Sequence, residues 1–166
     1  MPFSQWSDYN TTLISNGGGV FDRNTKEIHL SSEAKKSLDI SIDTISPDNL
    51  IKAILQAPVD LIWNGGIGTY IKSSNESHSD IGDKSNDILR CNASDIRASV
   101  IAEGGNLGVS QLARIEYSKI GGRINTDFID NSAGVDCSDH EVNIKIVLNE
   151  AVRQGVVSIE TRNNIL

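Results

Sequence analysis

Aromatic residues make up only 5% of this 166-residue chain, which leaves Ile, Val, Leu and Ala to fill any core. That composition suits a sheet-and-helix fold better than an aromatic-rich sandwich. Cysteine is limited to Cys91 and Cys137, far apart and without ligand spacing. A disulfide framework and a cysteine-based zinc site are therefore not expected, and a reducing cytoplasm is the expected compartment. No hydrophobic run nears the roughly 20 residues of a membrane span, and Met1-Pro2-Phe3-Ser4 does not read as a signal peptide. Basic excess is missing too: the net charge is −7, with no long run of one sign. Such a chain repels phosphate backbones, so neither nucleic acid nor an anionic membrane is an expected partner. Repeats and low-complexity tracts are absent. The length suits a single domain.

What is present is a rhythm of helices and strands. The opening segment is weakly patterned, with a loop at Ser15-Asn16-Gly17-Gly18-Gly19, a short run through Ile28-His29-Leu30, and a helical turn over Ser32 to Leu38. Ser46-Pro47 reads as an N-cap followed by proline at the first helical position, where its missing N–H costs nothing. Leu50, Ile51, Ile54 and Leu55 then recur at helical spacing until Pro58. Val59 to Trp63 reads as a strand buried on both faces. A polar loop over Ser73 to Ser79 leads into an expected helix from Asp80 to Cys91, with a shorter one from Asn92. Ser99 to Ala102 reads as a second strand, Ser110 to Lys119 as a helix, and Arg123 to Asp127 as a third strand. Ser138-Asp139-His140-Glu141 has the pattern of a capping box opening a last long helix that Gly155 closes. Alternation of this kind implies a parallel sheet with crossover helices.

Ligands of such sheets sit beyond the carboxyl ends of the strands. There the sequence places Asn64-Gly65-Gly66, Glu103-Gly104-Gly105-Asn106 and Asp130-Asn131-Ser132-Ala133-Gly134. Glycine lets a ligand approach the backbone, and asparagine offers the donor and acceptor that a carboxamide or ribose needs. The plain alternative is that Gly and Asn merely make tight turns, as in most loops. Three such loops on one edge favour a neutral, hydrogen-bonding cleft suited to a nucleotide. Two glycine runs are set aside as phosphate cradles. After Gly66-Ile67-Gly68 the third glycine of a dinucleotide fingerprint is replaced by Ile71, and no helix follows. Gly17-Gly18-Gly19 is followed by Val20 rather than a lysine. Asp136 and His140 sit four apart, as metal ligands can, but carboxylates and serine also belong at a helix start. Ser138 has two available tasks, capping that helix or holding a substrate carboxylate. No metal site and no catalytic residue is assigned.

The same residues carry a family resemblance. Val59-Asp60-Leu61-Ile62-Trp63-Asn64-Gly65-Gly66-Ile67-Gly68-Thr69-Tyr70, Ala102-Glu103-Gly104-Gly105-Asn106-Leu107-Gly108 and Gly121-Gly122-Arg123-Ile124-Asn125-Thr126-Asp127 resemble the large NAD-specific glutamate dehydrogenases of bacteria. So does the run from Ile129 to Asn143, and the resemblance reaches back to Trp6-Ser7-Asp8-Tyr9 and Gly17-Gly18-Gly19-Val20-Phe21. It implies NAD as cofactor, glutamate and 2-oxoglutarate as substrates, and oxidative deamination as the reaction. Asn64, Gly65 and Gly66 match a loop beside the adenosine and ribose, Asn106 a residue near the nicotinamide ribose, and Asn131 one near the carboxamide. Val135 and Ser138 match positions that contact glutamate.

The resemblance also implies what is missing. The family's catalytic lysine, its proton-relaying aspartate and its pyrophosphate turn are expected upstream of Met1. The expected fold is thus α/β, a partial Rossmann-like parallel sheet with crossover helices that lacks its first, pyrophosphate-binding half. Residues 1–135 would form the partial NAD-binding domain and 136–166 a truncated helical segment leading out of it. Such a chain is expected to be inactive alone and to need the rest of the enzyme or a homo-oligomer. The alternatives are a non-catalytic complementing or nucleotide-binding module, or a decayed gene fragment.

Overall fold

A computed structural model of the chain describes residues 5–166; Met1-Pro2-Phe3-Ser4, considered above for a signal peptide, lies outside them. Its centre is a three-stranded parallel sheet of β3 (Leu61–Asn64), β6 (Val100–Glu103) and β7 (Arg123–Ile124), in the order β3-β6-β7. Leu61 pairs with Val100 and Asn64 with Glu103, so β3 and β6 end level with each other. Parallel neighbours need a crossover. Between β6 and β7 it is α4 (Gln111–Lys119), begun where the Ser110 hydroxyl accepts from Ala113 N. Ala113 and Tyr117 of α4 are buried against the sheet, and the Tyr117 hydroxyl donates to Ala98 O at 2.5 Å.

Ahead of the sheet, β1 (Ile28–His29) and β2 (Thr44–Ile45) form an antiparallel pair around α1 (Ser32–Leu38). Helix α2 (Pro47–Leu55) follows, with Ser46 accepting from Asn49 N and proline in the first turn, as its sequence requires. The core lies around Ile71, Cys91, Ala93, Ile96, Ile101, Val109 and Tyr117.

The crossover from β3 to β6 departs from the expected long helix. Only α3 (His78–Ile81) forms, and Gly82 in the left-handed conformation (φ 74°) ends it. A 3-10 turn at Lys84–Asn86 follows, and Cys91 lies in β5 (Cys91–Asn92), paired in parallel with β4 (Ile71–Lys72). Arg90 accounts for the break. Its side chain is fully buried, donating to Thr69 O at 2.8 Å, Asp83 O at 2.6 Å and Asp87 Oδ1 at 2.6 Å, which folds the segment around one guanidinium. The helix expected from Asn92 is a single 3-10 turn, Ala93–Asp95.

Three further expectations change. β3 is not buried on both faces: side chains alternate along the strand, and Ile62 packs on the core while Leu61 (50% exposed) and Trp63 (63%) share the face that no element covers among the described residues. β7 stops at Ile124, and Asp127 opens a short helix, α5 (Asp127–Asp130), instead of ending the strand. The last long helix does not start at Ser138. Helical backbone begins in α6 (Gly134–Asp136), passes through a π-helical turn (Cys137–Glu141) and continues as α7 (Val142–Arg153). Asp136 and Cys137 are already helical, so Ser138 has no helix start to cap. α8 (Ile159–Ile165) completes the described chain, started by Ser158, which accepts from Thr161 N. Among the described residues no helix is long and apolar enough to cross a membrane.

Candidate functional site

The loops after β3 and β6 touch. Gly104 N donates to Asn64 O at 2.8 Å, extending the ladder by one rung beyond the strands. A Cβ on Gly105 would lie 2.6 Å from the carbonyl oxygen of Gly66, so the two backbones meet at a distance only glycine allows. Asn64 Oδ1 accepts from Gly66 N at 3.4 Å and fixes the start of its own loop.

Asn131 joins them from a different element than its sequence position suggested. It caps the C-terminus of α5 rather than following a strand. Its Nδ2 nevertheless donates to Asn106 Oδ1 at 3.1 Å. That bond orients both amides and leaves Asn106 Nδ2 as a donor and Asn131 Oδ1 as an acceptor at an exposed mouth, the complement of a primary carboxamide. Asn64, Gly65, Gly66, Asn106 and Asn131 thus gather at one end of the sheet.

Val135 and Ser138 lie on the helices beyond. Val135 in α6 is exposed, and the Ser138 hydroxyl donates within its own helix to Val135 O at 3.1 Å. Asp136 and His140 form an exposed hydrogen-bonded pair at 2.7 Å, and the described residues contain no group of three or more His, Cys, Asp or Glu able to hold a metal ion.

Beneath the mouth lies a polar frame that residue-type reasoning had not singled out. Glu103, fully buried at the end of β6, accepts from Arg114 Nη2 of α4 at 2.5 Å and from Gly108 N at 3.0 Å. Arg114 Nη1 donates to Asn125 O at 2.6 Å. The two carboxylates of α5 reach back to the same loop: Asp130 accepts from Glu103 N at 3.1 Å and Asp127 from Leu107 N at 3.0 Å. Leu107 itself has φ of 53°, a left-handed conformation that costs a non-glycine residue about 1–2 kcal/mol. In the sequence this frame shows only through Glu103, in the Glu103-Gly104-Gly105-Asn106 run.

A cavity of about 630 Å³ opens between α2 and the exposed side of β3, lined by Ile51, Ile54, Leu55, Leu61 and Trp63 and reaching Asn64 and Gly66. Its walls are mostly apolar, and it does not include Asn106 or Asn131. Aliphatic walls of this kind suit packing by another apolar element.

The family model for bacterial NAD-glutamate dehydrogenase, catalytic domain, matches residues 1–166. The chain belongs to this family. It is 57% identical to an NAD-specific glutamate dehydrogenase of Pseudomonas aeruginosa over 166 residues and 56% identical to one of Mycobacterium tuberculosis over 172. A third, from Halomonas elongata, is 52% identical over 166 residues. Each alignment takes in the whole of this chain but only 10% of the Pseudomonas and Halomonas proteins and 11% of the mycobacterial one. The chain therefore spans about a tenth of the length of the relatives it matches.

Proposed function

We propose that this chain forms the nicotinamide side of an NAD cleft in an enzyme that oxidatively deaminates glutamate to 2-oxoglutarate and ammonium. Asn131 bonded to Asn106 carries the reading, because that pairing turns a donor and an acceptor outward where strand-end loops of a parallel sheet take nucleotides. Asn106 would lie by the nicotinamide ribose, Asn131 by the carboxamide, and Asn64, Gly65 and Gly66 beside the remaining ribose and adenosine. Val135 and Ser138 would face glutamate, which requires the Ser138 hydroxyl to leave Val135 O when substrate arrives. The names of the relatives support NAD and glutamate as the ligands.

The sheet is, in this reading, part of a Rossmann-like fold. Asp60 O and Asn64 O accept from β6, at 3.0 Å from Val100 N and 2.8 Å from Gly104 N. Parallel alternation then turns the N–H and C=O groups of Leu61 and Trp63 to the opposite edge, where no strand pairs among the described residues. That edge and the apolar cavity beside it would receive the pyrophosphate-binding half. Residues 1–135 would belong to the cofactor domain and 136–166 to helices leading away from it, in a reducing cytoplasm. Hydride transfer needs the nicotinamide fixed against substrate with water excluded, and half a cleft does not achieve that, so the chain alone is read as inactive.

NADH fluorescence titration of the protein at its natural length tests the assignment. Asn106→Ala and Asn131→Ala should each weaken NADH binding by about tenfold, the size of one lost hydrogen bond to a ligand. Unchanged affinity in both variants would refute it.

A further inference from the structure

We infer that Asp127 is a positioning residue for the cofactor loop, acting as a hydrogen-bond acceptor that holds Leu107 in its left-handed turn and thereby aims Asn106. The inference rests on the cofactor reading of that loop given above.

The geometry points to Asp127 because the backbone around Leu107 is fixed on both sides, and its two other backbone ties come from outside α5. Thr69 Oγ donates to Leu107 O at 2.6 Å, and Gly108 N donates to Glu103 Oε2 at 3.0 Å. The Leu107 N–H is held by the first residue of α5, through Asp127 Oδ2 at 3.0 Å. A leucine with φ of 53° does not rest there unaided, so an acceptor placed on its N–H decides which way the preceding residue faces. That preceding residue is Asn106. Its partner Asn131 closes the same helix that Asp127 opens, so α5 holds the cofactor loop at both ends. Asp130, at the last position of α5, accepts from Glu103 N at the end of β6 and from Asn125 Nδ2 at 3.0 Å. It anchors the helix to the sheet, whereas Asp127 reaches the loop itself.

Such a role calls for an acceptor atom at that reach and not for a negative charge. Asparagine can supply the atom and alanine cannot. Steady-state kinetics of the natural-length protein with glutamate and NAD separates this from a merely structural part. Asp127→Ala should raise KM for NAD about tenfold while KM for glutamate stays within about twofold, and Asp127→Asn should keep KM for NAD within about threefold of the parent. Loss of folded protein alone would lower kcat through the active fraction and leave both KM values in place. Where Asp127→Ala does not fold, Asp127→Ser substitutes for it, since its hydroxyl stays polar at the helix start but stops short of Leu107.

Asn106→Ala is run beside them. A raised KM for NAD in Asn106→Ala with an unchanged one in Asp127→Ala overturns the positioning role and leaves the cofactor reading standing. An unchanged KM for NAD in both overturns the cofactor reading, and the positioning role with it. A tenfold rise in Asp127→Asn equal to that in Asp127→Ala also overturns the inference, because charge rather than the acceptor would then be at work.

Discussion

Arg114 donates to Glu103 at 2.5 Å with Arg114 only 5% exposed and Glu103 not at all, so two opposite charges are sealed beneath the strand-end loops. Their value lies in where they are tied rather than in net attraction, since desolvation offsets much of the Coulomb gain of a buried pair. Glu103 holds β6 to the Gly108 turn, and Arg114 holds α4 to the carbonyl of Asn125 after β7. Removing one partner strands the other charge. Glu103→Gln should therefore destabilise the chain by about 3–5 kcal/mol in a urea titration followed by far-UV circular dichroism. Glu103→Leu combined with Arg114→Met should recover part of that loss. A single-variant loss below about 1 kcal/mol, the level of an exposed pair, would contradict the sealed environment.

The contact between the first two loops yields a paired comparison. A methyl on Gly105 would meet the Gly66 carbonyl at 2.6 Å, whereas a methyl on Gly66 would meet nothing within 4 Å. Gly105→Ala must push two backbones apart and should cost about 1–3 kcal/mol, as overpacking does. Gly66→Ala should stay within about 0.5 kcal/mol, as substitutions into open space do. If Gly66→Ala is silent in stability yet weakens NADH binding, the added methyl is obstructing a ligand. Equal stability losses for the two variants would show that the loops do not touch as described.

Much of this was legible from local chemistry. Ser46-Pro47 and Ser110 start helices as their residue types dictate, because capping needs only a hydroxyl and the next three residues. The strand-end runs Asn64-Gly65-Gly66 and Gly104-Gly105-Asn106 were legible for the same reason. What failed depended on distant partners. The stretch from Asp80 to Cys91 reads as a helix in the sequence, but Arg90 finds Thr69 O across 21 residues and breaks it. Ser138 has the spacing of a cap, yet the turn before it is already helical. Asp130 reaches Glu103 over 27 residues and Asp127 reaches Leu107 over 20, and neither pairing leaves a trace in sequence spacing.

Asp83 gives the β3 to β6 crossover an acid-sensitive joint. Its carboxylate accepts from Asn86 Nδ2 at 2.7 Å, Ser85 Oγ at 2.7 Å and Thr69 N at 2.9 Å, and these bonds hold its pKa down at about 2. An unfolded aspartate titrates near pH ~4. The folded pKa being the lower one, the stabilisation is complete above the unfolded value and is lost as pH falls toward about 2. Asp83→Asn should flatten the fall in stability between those limits and leave the pH dependence above about pH 5 unaltered. The comparison is made by urea midpoints of parent and variant along an acid series. Parallel curves throughout that window would show that Asp83 does not carry the effect.

Trp63 reports on the open edge of the sheet. Trp63 is 63% exposed, and it lies on β3 beside the apolar cavity, next to the backbone groups that no described strand pairs. An exposed, apolar strand edge is a template for pairing. If a further strand adds there in the natural-length protein, Trp63 must lose solvent. With Trp6 replaced by phenylalanine, so that its exposed ring does not mask the signal, Trp63 emission should shift to shorter wavelength in the natural-length protein relative to the 166-residue chain. Quenching by acrylamide should fall alongside. In the chain by itself, Trp63→Lys should reduce aggregation, because a charge on an edge blocks strand addition. In the longer protein the same lysine would have to be buried at the joint and should impair folding. Equal acrylamide quenching of Trp63 in both proteins would mean that the edge stays open, and the sheet would then end at β3.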